Sequence, residues 1–219
     1  MKKSIVIAHY NEDLEWLKNI KDTKIYLYTK GNSDINPAEN IIIEILDNIG
    51  NEQHTYLYHI VNHYKKLDDV IFFTQANPFE HCHDFFKKLE NNYIGGLSDF
   101  NLITTIYGEV DRSIYKKHIN HKYSNIGTDS ILGNVFIDPW NDHNAINNLE
   151  FLISELHELG IKRENWIFNA NGMYSATKEK LNTFNLDFYS KCLDTFKTPD
   201  TRLNMLAFAF ERLSKFIYL

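Results

Sequence analysis

The stretch "VIFFTQANP", residues 70–78, decides the fold of this sequence. Its first half is apolar on both faces, which is typical of an inner strand in a largely parallel sheet covered by helices. Asn77 and Pro78 are residue types preferred at an N-cap and at a first helical position, so a helix is predicted from here to about Asn91. A buried strand that ends in polar side chains before a helix is where many α/β enzymes bind a ligand. The stretch therefore predicts an α/β fold with a candidate site after this strand.

The residues before this stretch show the same alternation of strands and helices. Strands are predicted at 4–8, 24–28 and 41–43, where short runs of apolar and β-branched residues end in polar or glycine-containing turns. A helix is predicted after the first strand, where "HYNEDLEWL" enters an apolar pattern with Leu17 toward the core. Right-handed crossovers between such strands build a doubly wound sheet.

A longer helix is predicted at 53–67. Its apolar residues recur at helical spacing: Leu57, Ile60, Val61 and Tyr64. At about 100° per residue, His59 and His63 fall on the side opposite that apolar stripe, whereas His54 lies at its margin. The two histidines of the opposite side are therefore predicted to face solvent.

The second half of the chain is less regular, and residues 109–125 fit either a charged helix or a long excursion. The other elements predicted there are a strand at 102–108, a helix at 144–159, a strand that enters a helix through Ser175 within 166–181, and a helix at 201–219. The length fits one domain over residues 1–219. We expect a single α/β/α sandwich with a mostly parallel, twisted sheet.

Composition excludes several classes of protein. Charged residues make up 24% and hydrophobic residues 43% of the 219 residues, so the chain has the composition of a globular protein rather than a disordered one. The net charge of −6 and the lack of a long basic run argue against nucleic acid as a partner. No apolar run approaches about 18 residues, so no membrane span is predicted. Two distant cysteines without a signal peptide favour a cytosolic protein with free thiols, and peripheral contact with a membrane stays open.

Ten histidines raise the question of a metal site. In a helix His81 and His83 would point about 200° apart, so they could not bind one ion. His59 and His63 have the spacing of half a zinc site but lack the glutamate of the H-E-x-x-H pattern. A G-x-S-x-G elbow, a P-loop and a G-x-G-x-x-G loop are all absent from the sequence, which excludes the common serine hydrolase, P-loop and dinucleotide-binding patterns.

Polar side chains follow three of the predicted strands. The carboxyl ends of parallel strands lie along one edge of a sheet, where helix N-termini also supply backbone N–H groups for anionic ligands. Each polar residue alone has an ordinary role in a turn or a cap, but three clusters at one edge favour a pocket. The clusters are His9, Asn11 and Glu12; Asn48, Gly50 and Glu52; and Gln75 and Asn77.

Several segments together resemble a widespread domain family of unknown function. The segments are "YNEDLEWL", "IYLYTKG", "NIGNEQHTYLYHIVNHY", "VIFFTQANPFEH", "NGMYSATKEKL" and "FERL", in this order and over almost the whole chain. That family in turn resembles compact nucleotide-sugar glycosyltransferases of the GT-A type. The resemblance implies a GT-A-like fold, transfer of a sugar from a nucleotide diphosphate to a hydroxyl of a glycan or glycolipid, and a nucleotide bound by the first strand and its loop.

The resemblance also implies donor-binding residues. They are His9, Asn11, Glu12, Lys30, Gln75, Asn77 and Arg212. The Gln75-Ala76-Asn77 segment stands where many such enzymes carry an Asp-x-Asp metal motif. Amide oxygens bring no negative charge, so a weakened Mn²⁺ or Mg²⁺ site is expected, with no dedicated metal ligand. Cationic side chains such as Lys30, Lys178 or Arg212 would then neutralise the diphosphate, unless the activity has been lost.

Sugar transfer further requires a group that takes the proton of the acceptor hydroxyl. Glu52 or Glu211 is expected to be this carboxylate, although each also fits an ordinary helix role. The residues expected at the acceptor are His54, Asn171 and Tyr174. Two alternatives stay open, a non-catalytic module that binds a carbohydrate or nucleotide and a histidine-based metallohydrolase.

Overall fold

The computed structural model describes residues 1–31, 38–99, 104–105, 167–168, 172–197, 207, 210, 217 and 218. Two compact units make up the chain, Met1–Asn101 with Ala170–Leu219 as the first and Leu102–Asn169 as the second. The strands are β1 (Lys3–His9), β2 (Lys24–Thr29), β3 (Ile41–Ile45), β4 (Val70–Gln75), β5 (Gly95–Gly96), β6 (Thr104–Thr105), β7 (Ile167–Phe168) and β8 (Tyr174–Thr177). The single-domain expectation stays a prediction.

Six of these strands form one mixed sheet in the first unit, in the order β3-β2-β1-β4-β8-β5. β3, β2, β1 and β4 pair parallel in this order, which requires a crossover connection between successive strands. β8 is antiparallel to both of its neighbours, β4 and β5. The protein is thus α/β, and the expectation of a mostly parallel sheet is correct for four strands and wrong at β8. In the second unit β6 and β7 pair antiparallel, which confirms the strand predicted at 102–108 for two residues.

The first unit also contains helices and 3₁₀ turns. They are α1 (Asn51–His63), α2 (Phe85–Glu90), α3 (Lys178–Leu181) and α4 (Leu186–Asp194), with 3₁₀ turns at Glu15–Asn19, Tyr64–Lys66, Pro78–Glu80 and Thr195–Lys197. Of the helices in the described ranges, none combines the length and apolar character needed to cross a membrane. Both cysteines are buried free thiols, as predicted.

Alternate residues of the central strands point to opposite faces of the sheet, and both faces are buried. On one face Ile5, Leu27 and Phe72 belong to a core that Leu17 of the first 3₁₀ turn and Phe85 of α2 complete. The helix predicted after β1 is only a 3₁₀ turn, but its Leu17 packs against the sheet as predicted. The apolar runs of β1, β2 and β4 are therefore explained by burial on two sides.

α1 covers the opposite face, and it does so with the side of the helix that was predicted to face solvent. His59 is 1% exposed, and its ring packs against Tyr26 and Phe73 of the sheet. A hydrogen bond of 2.8 Å joins His59 Nδ1 to the Tyr28 hydroxyl. The prediction of a solvated histidine face is wrong because α1 lies between the sheet and α4, which leaves it no wide polar side.

Two helix boundaries also differ from the sequence prediction. The helix predicted from Asn77 to Asn91 is a 3₁₀ turn and the separate helix α2, and the Asn77 side chain makes no capping hydrogen bond. Ser175 is not an N-cap: it lies inside β8, where its hydroxyl donates to the Tyr93 carbonyl. Thr177 caps α3 instead, by accepting from the Lys180 N–H at 3.1 Å.

The last helix is confirmed at the four positions that the structure describes. These positions are Ala207, Phe210, Ile217 and Tyr218, which are helical and buried. Aromatic and aliphatic side chains on a broad face predicted this burial. The elements predicted at 109–125 and 144–159 lie outside the described residues.

Candidate functional site

A topological switch point lies between β1 and β4. From β1 the chain continues to β2 and β3 on one side, and it returns through α1 to β4 on the other side of β1. The loops that follow two such strands diverge and leave a crevice at the carboxyl edge, which is where open α/β sheets bind ligands. Ala8 pairs with Gln75 at this edge, so the loop after His9 and the loop after Gln75 begin side by side.

The loop after β1 is a tight turn stabilised by its own polar side chains. His9 is buried, and its Nε2 donates to the Glu12 carbonyl at 3.1 Å because a carbonyl oxygen only accepts. His9 Nδ1 lies 3.1 Å from the Thr29 hydroxyl of β2. One carboxylate oxygen of Glu12 accepts the N–H groups of Tyr10 and Asn11 at 2.8 and 3.1 Å. These side chains form the turn, and Asn11 is left exposed beside the crevice.

The loop after β4 is tied to the loop after β1. Gln75 is half-buried and Asn77 is exposed, while Ala76 between them is buried. The Trp16 indole Nε1–H donates to the Ala76 carbonyl at 2.8 Å. Trp16 also packs edge-on against Phe85 at 5.6 Å between ring centroids, which fixes the indole. The two loops of the switch point are thus held together by a side chain.

Lys30 occupies the position directly after β2, and its ammonium points to the start of α1. Nζ donates to the Ile49 carbonyl at 2.6 Å and to the Asn51 carbonyl. Burial lowers the pKa of Lys30 to about 8, and the nearby Glu52 carboxylate opposes that shift. Two of its three N–H donors are used by the backbone, so Lys30 is a part of this turn.

Glu52 lies in the first turn of α1, where its carboxylate packs on Gly172. A Cβ at Gly172 would lie 2.5 Å from Glu52 Oε1, closer than any side chain could approach. The Tyr56 hydroxyl donates to the Gly172 carbonyl at 2.7 Å and fixes that contact. Burial raises the pKa of the Glu52 carboxyl, while its own backbone N–H and the Lys30 ammonium oppose the rise. Carboxyl groups with a raised pKa are candidates for proton transfer.

His54 lies in the same first turns of α1 and is 8% exposed. Its ring packs edge-on against Phe196 at 5.7 Å, and no hydrogen-bond partner for Nδ1 exists among the described residues. Burial lowers the pKa of His54 to about 4, and the Lys30 charge adds to this effect. The imidazole is therefore neutral at physiological pH.

The remaining predicted residues are spread over several places. Tyr174 is fully buried and stacks on Tyr218 at 5.2 Å, so its ring belongs to the core. The expectation that Lys178 neutralises the diphosphate is wrong. The Lys178 backbone N–H donates to the Asp69 carbonyl at the amino ends of the parallel strands, which is the edge of the sheet opposite the switch point. Glu211, Arg212 and Asn171 lie outside the described residues. The structure thus brings together Lys30, Glu52 and His54 at one place and His9, Asn11, Glu12, Gln75 and Asn77 at the switch point.

Sequence reasoning missed a charged cluster beyond β5, at the same edge of the sheet. His83 Nδ1 lies 2.7 Å from Asp99 Oδ2, and the His83 backbone N–H donates to the same oxygen at 2.9 Å. The Lys88 ammonium donates to the Leu97 carbonyl at 2.7 Å and lies 3.4 Å from Asp99. The "HCHD" cluster was a visible signal, but Asp99 is distant in sequence and reaches it only through the short strand β5.

The Gln75-Ala76-Asn77 segment does not fit a tightly held divalent cation. Its two side chains offer amide oxygens without charge, and in the loop after β1 one oxygen of the Glu12 carboxylate already accepts two backbone N–H groups. A cation such as Mn²⁺ would therefore depend on ligands brought by a phosphorylated substrate.

The mixed six-stranded sheet and its helices place the chain in a class, the α/β proteins. Within it, the chain belongs to the family described as "Protein of unknown function (DUF3431)", whose model matches residues 5–218. No curated protein and no solved structure matches the chain.

Proposed function

We propose that the protein is a glycosyltransferase that binds a nucleotide-sugar donor at the switch point and transfers the sugar to a hydroxyl of a glycan or glycolipid. The observation that carries this proposal is the switch point between β1 and β4, where polar residues follow both strands and the hydrogen bond from Trp16 to Ala76 holds the two segments in one arrangement. A fixed arrangement supports catalysis because positioning two reactants is a large part of the rate of a transfer reaction.

The donor would be held by uncharged polar groups. Asn11 is exposed on the loop after β1, and Asn77 is exposed on the loop after β4 with half-buried Gln75 beside it. Amide side chains both donate and accept hydrogen bonds, which suits a ribose hydroxyl or a phosphate oxygen. The Lys30 ammonium donates to backbone carbonyls at the start of α1. Lys30 therefore contributes its positive charge at a distance rather than a direct contact with a phosphate. Arg212 stays the proposed cation at the diphosphate.

Glu52 is the proposed proton acceptor. In the transfer step the acceptor oxygen forms a bond to the anomeric carbon while the bond from that carbon to the diphosphate oxygen breaks. The nucleoside diphosphate leaves with the electron pair, and the hydroxyl proton passes to the Glu52 carboxylate. A carboxyl whose pKa is raised by burial is a stronger base than an exposed one, which favours Glu52 for this role.

A thermal-shift screen with UDP- and GDP-sugars, with and without Mn²⁺, tests the proposal. A ligand at about 100 times its Kd stabilises a protein by about 2.7 kcal/mol, which gives a measurable shift. We expect the best donor to lose its shift in Asn77→Ala and to keep it in Lys178→Met, a change at the opposite edge. Lack of a shift with every nucleotide sugar would refute the function.

A binding module without catalysis is the second candidate. The uncharged amide side chains of Gln75 and Asn77 favour this binding module, because such groups suit a sugar or nucleotide but do not activate a metal or a water molecule. It predicts the same thermal shift as a transferase but no hydrolysis of the donor. Measuring release of the nucleoside diphosphate, in wild type and in Glu52→Gln, separates the two functions.

A further inference from the structure

We propose that Lys30 is a positioning residue for Glu52: it binds the turn that begins α1, holds Glu52 against Gly172 and keeps its carboxylate ionised. This role replaces the expected direct contact of Lys30 with a donor phosphate. Its catalytic meaning rests on the glycosyltransferase function proposed above, whereas its structural and electrostatic parts concern the protein without any ligand.

The turn before α1 has a backbone shape that needs support. Gly50 has φ of 62° and Asn51 has φ of 46°, so two successive residues are left-handed. A left-handed conformation in a residue other than glycine costs on the order of 1–3 kcal/mol and persists only where surrounding contacts hold it. In this turn the carbonyls of Ile49 and Asn51 converge on the Lys30 ammonium, which binds both. Lys30 thereby stabilises the conformation from which Glu52 starts.

Lys30 is itself well anchored. It follows β2 directly, and its backbone N–H donates to the His9 carbonyl at 2.9 Å. The next residue, Gly31, lies so close to the loop after β1 that a Cβ there would be 2.1 Å from the Tyr10 carbonyl oxygen. Lys30 therefore links the loop at the switch point to the start of α1, and through it to Glu52.

The charges of Lys30 and Glu52 depend on each other. Burial disfavours the charged form of both groups, and each stabilises the other through its opposite charge. The other groups around the pair are His54, whose imidazole is neutral, and the Tyr218 phenol, whose pKa burial raises well above its ordinary value. Neither supplies a positive charge, so among the residues that the structure describes Lys30 is the cation that keeps Glu52 able to accept a proton.

NMR titration of the Glu52 carboxyl carbon in the full-length protein tests this inference without any substrate. Glu52→Gln assigns the signal, and the variants compared are Lys30→Met, Lys30→Arg and the control Lys18→Met, which changes an exposed lysine paired with Glu15. We expect the Glu52 pKa to rise by about one unit or more in Lys30→Met, a tenfold change in proton affinity, and to stay near the wild-type value in the other two. An unchanged Glu52 pKa in folded Lys30→Met would overturn the inference.

The reciprocal measurement covers the case in which Lys30→Met does not fold. In Glu52→Gln the Lys30 Cε signal should titrate at a lower pH than in the wild type, because the supporting negative charge is gone. An unchanged Lys30 midpoint would contradict the coupling. If the coupling is found but no nucleotide sugar binds, the proposed function fails and the role of Lys30 stands. Once a sugar donor is identified, the pH dependence of the transfer rate gives a further test. The acidic limb of the pH–rate profile should move to higher pH in Lys30→Met and stay in place in Lys30→Arg.

Discussion

Trp16 and Ala76 are joined by a hydrogen bond of 2.8 Å from the indole Nε1–H to the carbonyl oxygen. The bond connects the segment after β1 to the segment after β4, the two strands on either side of the switch point. Ala76 is fully buried, so its carbonyl has no access to water as a substitute partner. A single side chain therefore fixes the spacing of the two segments that we propose as the donor site.

Trp16→Phe should destabilise the protein by about 1–3 kcal/mol, because it keeps an aromatic ring but leaves the buried Ala76 carbonyl without its donor. Urea unfolding measures the change. Tyr10→Phe is the control, since it removes an exposed hydroxyl on the same loop and should stay within about 0.5 kcal/mol of the wild type. Equal stability of Trp16→Phe and wild type would mean that the bond does not hold the two loops.

The sequence predicted the centre of the sheet well because burial on both faces leaves a clear pattern. β1, β2 and β4 are runs of apolar residues that end at turns, and their order follows from crossover connections. α1 was predicted as a helix, and Leu57 and Ile60 of its apolar stripe are buried as predicted, but His59 is buried as well, where its ring packs on Tyr26 and bonds the Tyr28 hydroxyl. The residue type alone does not show whether a histidine is buried with a hydrogen-bond partner in the core.

Gly172→Ala should disturb Glu52 more than the small change in volume suggests. The new Cβ would lie 2.5 Å from Glu52 Oε1, so the carboxylate must move away from the fixed backbone at Gly172. We expect a loss of about 1 kcal/mol in the free energy of unfolding, at the low end of the cost of overpacking, because the atoms that must shift belong to the flexible Glu52 side chain. Chemical denaturation of the purified variant checks this value.

A double-mutant cycle attributes that cost to the contact itself. Glu52→Ala removes the group that the new methyl meets, so Gly172→Ala should cost less in the Glu52→Ala background. The difference between the two costs should be about 0.5 kcal/mol or more. Additive effects would place the strain elsewhere in the backbone.

Acid should destabilise the protein in part through His54. Burial lowers its pKa in the folded state to about 4, from about 6.5 in an unfolded chain, so the unfolded state binds the proton first as the pH falls. The contribution of neutral His54 to stability is complete above about pH 6.5 and is lost progressively down to about pH 4. At about 1.4 kcal/mol per unit, this amounts to about 2 kcal/mol by about pH 5.

His54→Gln should flatten this pH dependence, which urea unfolding between about pH 7 and pH 5 measures. The control is Tyr10→Phe, which removes an exposed hydroxyl and should retain the wild-type slope. Burial lowers the pKa of His59 and of His63 as well. The stability of His54→Gln should therefore still fall to some extent in acid. An unchanged slope in that variant would contradict the assignment.

The candidate site was predictable in its parts but not in its connections. Polar residues at strand ends pointed to His9, Gln75 and Asn77, and the rule for parallel strands places them at one edge. The contact of Glu52 with Gly172 joins residues far apart in the chain. Contacts of this kind depend on how the crossovers pack, and no local pattern in the sequence records them. The same holds for Asp99, which meets His83 only because β5 aligns with β8.

The cluster of Cys82, Asp84 and Asp99 gives the last prediction. Their ligand atoms lie within 4.8 Å of one another, but the Lys88 ammonium lies among them, 2.9 Å from Asp84 Oδ1 and 3.6 Å from Cys82 Sγ. Burial also raises the pKa of the Cys82 thiol to about 11, whereas zinc binds the thiolate. We therefore expect metal analysis of protein purified from zinc-containing medium to find well under one zinc per chain, and a chelator to leave the thermal midpoint unchanged. The opposite result would be one zinc per chain that is lost in Cys82→Ser but kept in the surface control Lys18→Met. It would show that the metal displaces the Lys88 ammonium, and it would favour the metallohydrolase alternative over sugar transfer.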